Sequence, residues 1–368
     1  MKLSEEYQQR LARVQAQLGH GAADLLVVAP THNMRYLLGF TPKYDERFCA
    51  LLVGRDAVRL VVPHLNAGQV ESHTGLQALR WTDESGPDHA LIQALDELGV
   101  EQSTTLAVDD TMQARHLLLL QEMARPQRTV TGDALLASLR MRKSALEIEA
   151  LARAAAQADR ALLAGVDACR PGVSEREVAE AIVQSFRRDG AEQVDFTIVG
   201  SGPNGAFPHH HSGGRTLRVG DTIIIDIGAT LDGYKSDITR VVHLGEPDPE
   251  VLEIYELVRT ANERGRAAVR PGVTASAVDR ATREPIDAAG YGDRFFHRTG
   301  HGLGIEEHEP PWISATSDTV LEPGMVFSIE PGIYLPGKFG VRVEDIVVVT
   351  EEGVRCLTGL GHELIVKQ

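Results

Sequence analysis

Five residues whose side chains can bind a metal ion recur through the second half of this 368-residue chain: Asp226, Asp237, His301, Glu330 and Glu344. Asp226 lies in TIIIDIG and Asp237 in YKSDITRVV, so two carboxylates interrupt strands that are otherwise apolar. An ionised carboxylate taken out of water is costly unless it is paired or metal-bound. Four acids drawn to one place need about as many buried cations, and the flanking strands offer mainly Arg240 and Arg342. Divalent metal is the more economical balance. His301, in TGHGLG, adds a nitrogen donor. An oxygen-rich set with one imidazole favours manganese, with zinc, cobalt or iron as other options. Two such ions about 3.5–4 Å apart can hold a bridging hydroxide at neutral pH and polarise a carbonyl, which implies hydrolysis. Taken singly, each acid reads as an ordinary surface or turn acid; together, in order and with a histidine, they read as a site.

The elements that must position these residues repeat within the chain. ALLAGVDACRPGV (161–173) and ANERGRAAVRPGV (261–273) align at a shift of 100, each followed by Ser or Thr and a helix-like segment. GDTIIIDIG (220–228) then matches GMVFSIEPG (324–332), setting Asp226 opposite Glu330, and each is followed by a second strand with an acid, Asp237 or Glu344. Two related halves, each a helix pair and a strand pair, predict a pseudo-twofold fold in which the four carboxylates converge. Before them, DLLVVA, a hairpin of FCALLVG and AVRLVV around Gly54-Arg55-Asp56, LQALRW and TTLAVDD alternate with helical stretches as a small α/β domain. From Ala134 to about Arg170 the helical period runs on with no internal proline. The boundaries drawn are 1–137 and 138–368.

Composition narrows the function classes. With 52 acidic against 37 basic side chains, a net charge of −15 provides no general field for phosphate backbones or anionic lipid. Cys49, Cys169 and Cys356 lack CxxC spacing and suit a reducing compartment as buried thiols. The start, MKLSEEYQQRLARVQ, is polar, and no apolar run approaches the ~18 residues of a membrane span. A cytoplasmic protein without nucleic-acid or membrane partners is expected. GxSxG, HExxH and Walker sequences are missing from the chain. Gly200-Ser201-Gly202-Pro203-Asn204-Gly205 spells GxGxxG, but AFPHHHSGG follows where a nucleotide site needs a helix, so these glycines are expected to shape a loop beside the metals.

IDIGATLDGYKSDITR, TGHGLGIEEHEPP, FSIEPGIY and GVRVEDIVVVT resemble the metal-binding motifs of the pita-bread metallopeptidases, the group of methionine aminopeptidase, aminopeptidase P and prolidase. The resemblance covers about residues 140 to 368, and HNMRYLLGF resembles the creatinase-type N-terminal domain. It implies an α/β (α+β) chain with a C-terminal pseudo-twofold pita-bread domain behind a smaller creatinase-type domain. It further implies that Asp237 and Glu344 bridge two divalent ions, that Asp226 chelates one, and that His301 and Glu330 hold the other. Glu330 would shuttle protons for the nucleophilic water, His209 in NGAFPHHH would contact the scissile imide, and His308 would steady the carbonyl and the tetrahedral intermediate. His210 and His211 beside it read equally well as polar loop. Arg342 and Tyr234 match positions that orient or charge-balance ligands.

Within the group, an N-terminal domain accompanies aminopeptidase P and prolidase, which both cleave before proline. The substrate implied is a proline-containing dipeptide or short peptide, cut by an Xaa-Pro dipeptidase, with aminopeptidase P acting on longer peptides as the alternative and a non-catalytic pita-bread binding protein as a remote one. A dipeptide ends in a carboxylate that arginine can bind bidentately. Arg47, in GFTPKYDERF, is the candidate, against an equal reading as a loop arginine paired with Asp45 or Glu46. Relatives are commonly homodimers, and a homodimer is expected here.

Overall fold

The computed structural model describes residues 4–21 and 23–368 and divides into two units, Met1–Arg140 and Met141–Gln368. In the first, six strands form a mixed sheet in the order Ala78–Trp81, Val58–Pro63, Ala50–Val53, Leu25–Val28, Thr105–Val108, Arg128–Thr131. Leu25–Val28 and Ala50–Val53 are wholly buried apolar runs, as strands covered on both faces must be. The edge strand Arg128–Thr131, RTVT, is short and partly exposed, and it has no apolar alternation that a sequence reading could find.

The predicted helical stretch from Ala134 is two helices, Asp133–Arg140 and Ala145–Ala168. Between them Arg142 bridges Met325, and the Lys143 N–H donates to the Gly324 carbonyl at 2.9 Å. The new helix starts on a capping box: the Ser144 hydroxyl accepts from Glu147 N–H, and the Glu147 carboxylate accepts from Ser144 N–H. These contacts satisfy backbone groups that a continuous helix would have bonded internally. Ser144→Ala is expected to cost about 1 kcal/mol, read as a thermal midpoint about 2–4 °C lower.

The second unit shows the repeat directly. Helices Ala145–Ala168 and Glu175–Arg188 precede a sheet whose main strands are Gln193–Ser201, Thr222–Leu231 and Ile238–Leu244, with Ile365–Lys367 added beyond the last. Helices Pro249–Ala268 and Ala275–Ala288 precede a sheet ordered Glu309–Ile313, Gly300–Gly302, Val326–Ile329, Asp345–Val349, Val354–Cys356. The RPGV turns correspond closely: Gly172 and Gly272 take φ of +89° and +83°, the left-handed region that favours glycine. After each turn a hydroxyl residue caps the next helix and forms a matching bridge, Ser174 to Thr216 and Thr274 to Val320.

Strand parity aims the carboxylates. Ile223, Ile225, Ile227 and Ala229 pack with the helix residues Leu162, Ile182 and Phe186, whereas Ile224, on the face of Asp226, packs with Val241 on the other side of the sheet. Asp226 pairs with Thr239 and Ile224 with Val241, so Asp237, two residues before Thr239, shares that face. In the second sheet Phe327, Ile329 and Val347 pack with Val269, at the end of helix Pro249–Ala268, and with the helix residue Val278, leaving Val326, Ser328, Ile346 and Val348 on the opposite face with Glu330 and Glu344. Cys49 and Cys169 are buried and Cys356 half-buried, all as free thiols. Among the described residues no helix is long and apolar enough to cross a membrane.

Candidate metal centre

The parity just described brings the acids together. Donor atoms of Asp237, His301 and Glu344 lie within 4.8 Å of one another, and all three residues are buried. His301 Nε2 stands 3.6 Å from Asp237 Oδ2 and 3.3 Å from Glu330 Oε1. Thr239 Oγ1 donates to Glu344 Oε2 at 2.7 Å, and Ser328 Oγ donates to Glu330 Oε1 at 3.1 Å. Arg342 joins the cluster through an ion pair with Asp226 Oδ2, while Asp226 Oδ1 is buried without a hydrogen-bond partner.

Electrostatics show what the cluster is missing. Burial first, and the neighbouring carboxylates after it, push Asp237 and Glu344 well above the ordinary carboxylate range. Burial likewise pushes Glu330 up to about 7, held back by Arg342 and reinforced by Asp226. Burial, then the charge of His308, holds His301 well below the usual histidine range, so its imidazole is neutral. His301 Nδ1 faces the Gly302 carbonyl at 3.1 Å and carries the proton, which turns the Nε2 lone pair toward the acids. Three buried carboxylates and the half-buried Glu330, one unsatisfied carboxylate oxygen and an imidazole lone pair, against one guanidinium in contact with them, make a donor set that fits divalent cations.

The other residues singled out from sequence lie at different distances from this cluster. The His308 ring is centred 4.0 Å from that of His301, and burial with Arg298 pushes it down to about 4. His209 is exposed, and its charge is felt by both His308 and His297. The Tyr234 hydroxyl donates to Glu147 Oε1 at 3.2 Å. Arg47 belongs to the first unit, where Asp83 takes its Nε and Nη2 at 2.9 and 3.1 Å and Glu46 takes Nη1 at 2.9 Å. GSGPNG ends a strand and makes a short 3-10 turn, Gly202–Ala206, in place of an α-helical start. Its Gly205 carbonyl passes so near Gly340 that a Cβ there would stand 2.0 Å away.

Sequence reading passed over a directed chain beside the acids. His297 Nδ1 faces the Arg298 carbonyl at 2.8 Å, so Nε2 accepts from the Tyr334 hydroxyl at 2.9 Å, and that oxygen accepts from Arg342 Nη1 at 2.7 Å. Burial pushes His297 down to about 3, which keeps it a neutral acceptor. The chain fixes the guanidinium that meets Asp226. His297 precedes His301 by four residues, a spacing that was available in the sequence; its partner Tyr334 is 37 residues away.

Also unread was Glu175, whose buried carboxylate organises the His209 loop. Oε1 accepts from Ser201 N–H, Ser201 Oγ and Asn204 Nδ2 at 2.9, 2.6 and 2.9 Å; Oε2 meets His210 Nε2 at 2.8 Å and Gly213 N–H at 3.2 Å. Burial acts to raise this carboxyl, but the bonds from Ser201, His210 and Asn204 outweigh it and hold the group below the usual range. A depressed folded pKa gives stability that is fully present above the unfolded value, about 4.3, and is lost as pH falls through the folded one. Glu175→Gln is therefore expected to lower the thermal midpoint at pH 7, by an amount that shrinks as pH drops below about 4. Melts of both proteins from pH 7 to 3 check this.

Carboxylates at this density around one neutral imidazole, carried by two echoing half-sheets, define a metal-dependent hydrolase. The chain belongs to metallopeptidase family M24, whose model matches residues 149–351, while residues 10–142 match the creatinase/prolidase N-terminal domain. It is 41% identical to the probable dipeptidase PepE of Mycobacterium tuberculosis over 99% of this chain and 97% of that protein. It is 34% identical to an Xaa-Pro dipeptidase of Pyrococcus furiosus, over 97% and 99% of the two chains. The recombinant prolidase from Thermococcus sibiricus superposes with a TM-score of 0.94 at 37% identity, covering 99% of this chain and 100% of that one. The protein is a metallopeptidase with the pita-bread fold and a creatinase-type N-terminal domain.

Proposed function

We propose that this protein is an Xaa-Pro dipeptidase whose five ligands, Asp226, Asp237, His301, Glu330 and Glu344, hold two divalent cations, manganese by preference. The observation that carries it is the convergence of Asp237, His301 and Glu344 within 4.8 Å, and full-length similarity to dipeptidases supports it. Asp237 and Glu344 would serve both cations, Asp226 would hold one, and His301 with Glu330 would hold the other. When bound, the cations supply an activated water near neutral pH and Lewis-acid polarisation of the scissile carbonyl.

The side chains move the protons. Glu330, which accepts from Ser328 Oγ, would take a proton from the attacking water and pass it to the proline nitrogen, which has no N–H of its own and must leave as an amine. His308, as a neutral donor, offers its N–H to the carbonyl oxygen where negative charge develops. His209 reaches the imide from the loop that Glu175 anchors. Arg342, fixed by Tyr334 and His297, pairs with Asp226, and Tyr234 supports the site through Glu147. A homodimer in the cytoplasm completes this reading.

Rates with manganese on Met-Pro, Ala-Pro, an Xaa-Pro-Xaa peptide and Ala-Ala test the proposal. Preference for the two proline dipeptides is expected. Preference for the longer peptide would make it an aminopeptidase P, and cleavage of none of the proline peptides would remove the assignment.

A further inference from the structure

Asp237 and Glu344 come from opposite halves of the second unit, one just ahead of Ile238–Leu244 and the other just ahead of Asp345–Val349. A fully buried arginine joins the two stretches from behind. Arg240 pairs with Ile225, which packs among the helices, so its side chain leaves the strand on the face away from Asp226 and Thr239. A guanidinium has five N–H donors, and all five of Arg240 are taken. Nη1 donates to the Thr239 carbonyl at 2.9 Å and to the Glu344 carbonyl at 2.5 Å. Nη2 donates to Asp345 Oδ1 and to the Leu360 carbonyl, both at 2.8 Å, and Nε to the Gly361 carbonyl at 2.9 Å. The Glu344 N–H closes the junction on the Thr239 carbonyl at 3.2 Å, and the Thr239 hydroxyl meets the Glu344 carboxylate.

Leu360 and Gly361 belong to the segment that crosses between the half-sheets. It leaves the second sheet after Val354–Cys356 and joins the first as Ile365–Lys367, beside Ile238–Leu244. Asp345, the residue after Glu344, fastens it: Thr358 Oγ1 donates to Oδ1 at 2.9 Å, and His362 Nε2 meets Oδ2 at 2.7 Å. The Leu357 N–H donates to the Ile346 carbonyl at 2.8 Å. Ahead of Glu344, Asn262 Nδ2 donates to the carbonyls of Val343 and Ile329 at 3.3 and 2.9 Å. The Glu344 backbone is thus gripped on both sides while its carboxylate faces the cluster. A crossing that only tied two sheets would need no guanidinium beneath it, since a buried ion pair adds little stability over apolar packing. What such a pair does supply is fixed geometry, and ligands must be held within about 0.5 Å of their working positions.

We propose that Arg240 and the crossing segment 357–364 are positioning elements of the metal centre: gripping Thr239, Glu344 and Asp345, they set the Glu344 carboxylate against Asp237 and so set the affinity for cations. This rests on the metal-centre reading above.

The test is manganese calorimetry, with thermal melts, on chelator-stripped wild type, Arg240→Lys, Thr358→Val, His362→Ala, His362→Gln and Lys367→Ala. Lys367 Nζ donates to the Val166 and Asp167 carbonyls at 2.7 and 3.0 Å, so it fastens the same terminal strand without touching Glu344 or Asp345. Thr358→Val and His362→Ala are expected to weaken manganese binding about 10–100-fold, the range for residues that orient ligands. Arg240→Lys should lose at least as much, because a point charge cannot reach five acceptors. His362→Gln, which keeps a donor for Asp345, should recover part of the loss. Lys367→Ala should melt lower and bind manganese as the wild type does. Unchanged affinity in both Thr358→Val and His362→Ala would make the segment a staple of the fold and overturn the proposal, whether or not Arg240→Lys folds. So would a loss in Lys367→Ala equal to theirs. A wild type that binds no manganese would overturn the metal-centre reading as well.

Discussion

Replacing Asp237 by asparagine is expected to cut peptide hydrolysis by about 10³-fold or more, equivalent to roughly 4 kcal/mol of barrier, while making the metal-free protein more resistant to heat. The two effects have one cause. Asp237 is buried among Glu344, Asp226 and Glu330, whose charges with burial push its carboxyl far up, and its Oδ2 lies 3.6 Å from His301 Nε2. With cations present, that density of charge is the binding energy; without them, it is repulsion. Asparagine keeps the volume and removes the charge. The metal-free variant should therefore melt above metal-free wild type, by about 2–4 °C for each kcal/mol of repulsion relieved. Added manganese should reverse the order, because it stabilises only the chain that can bind it. Melts with chelator and with manganese, beside rates on Ala-Pro, read out both. Unchanged turnover would remove Asp237 from the centre.

Arg342→Met should do the opposite to the metal-free protein. Arg342 is the guanidinium that contacts the acid cluster, pairing with Asp226 and donating to Thr239 Oγ1 at 3.2 Å and to Tyr334 Oη at 2.7 Å. Thr239 in turn donates to Glu344, so one side chain touches two of the clustered carboxylates directly or through a single hydroxyl. Methionine preserves the stem and leaves Asp226 Oδ2 and the Tyr334 and Thr239 hydroxyl oxygens without their guanidinium donor. Removing one partner of a buried pair costs about 3–5 kcal/mol, and loss of a residue that orients a ligand weakens metal binding about 10–100-fold. Arg342→Lys should retain part of the stability and less of the geometry, since a point charge cannot serve three acceptors at fixed angles. Thermal melts and manganese titration of the three proteins check the ranking.

Much of this centre was legible in the sequence because its physical signature is local. Acids inside apolar strands announce a cost that something must offset, but TIIIDIG is apolar on both faces, and the side Asp226 takes is shown by packing, where Ile224 meets Val241. The hundred-residue echo then brings Glu330 and Glu344 to equivalent places. The break at Met141–Ser144 was hidden because the apolar period runs through it. Ser144 and Glu147 do carry a capping-box spacing, but the bridge from Arg142 to Met325 that interrupts the helix is not a local property. The His297, Tyr334 and Arg342 chain escaped for the same reason: each residue alone is an ordinary buried polar group, and only the pairing of distant segments lines up their donors. Arg47 reads from sequence either as an anion receptor or as a loop arginine paired with Asp45 or Glu46; its fork meets Glu46 and also Asp83, an acid 36 residues away that local sequence does not point to.

Calorimetric titration of the chelator-stripped protein with manganese tests the account most directly. Two equivalents per chain should bind, falling to at most one in Asp237→Asn. Binding of no cation by a protein that still hydrolyses Ala-Pro would contradict it.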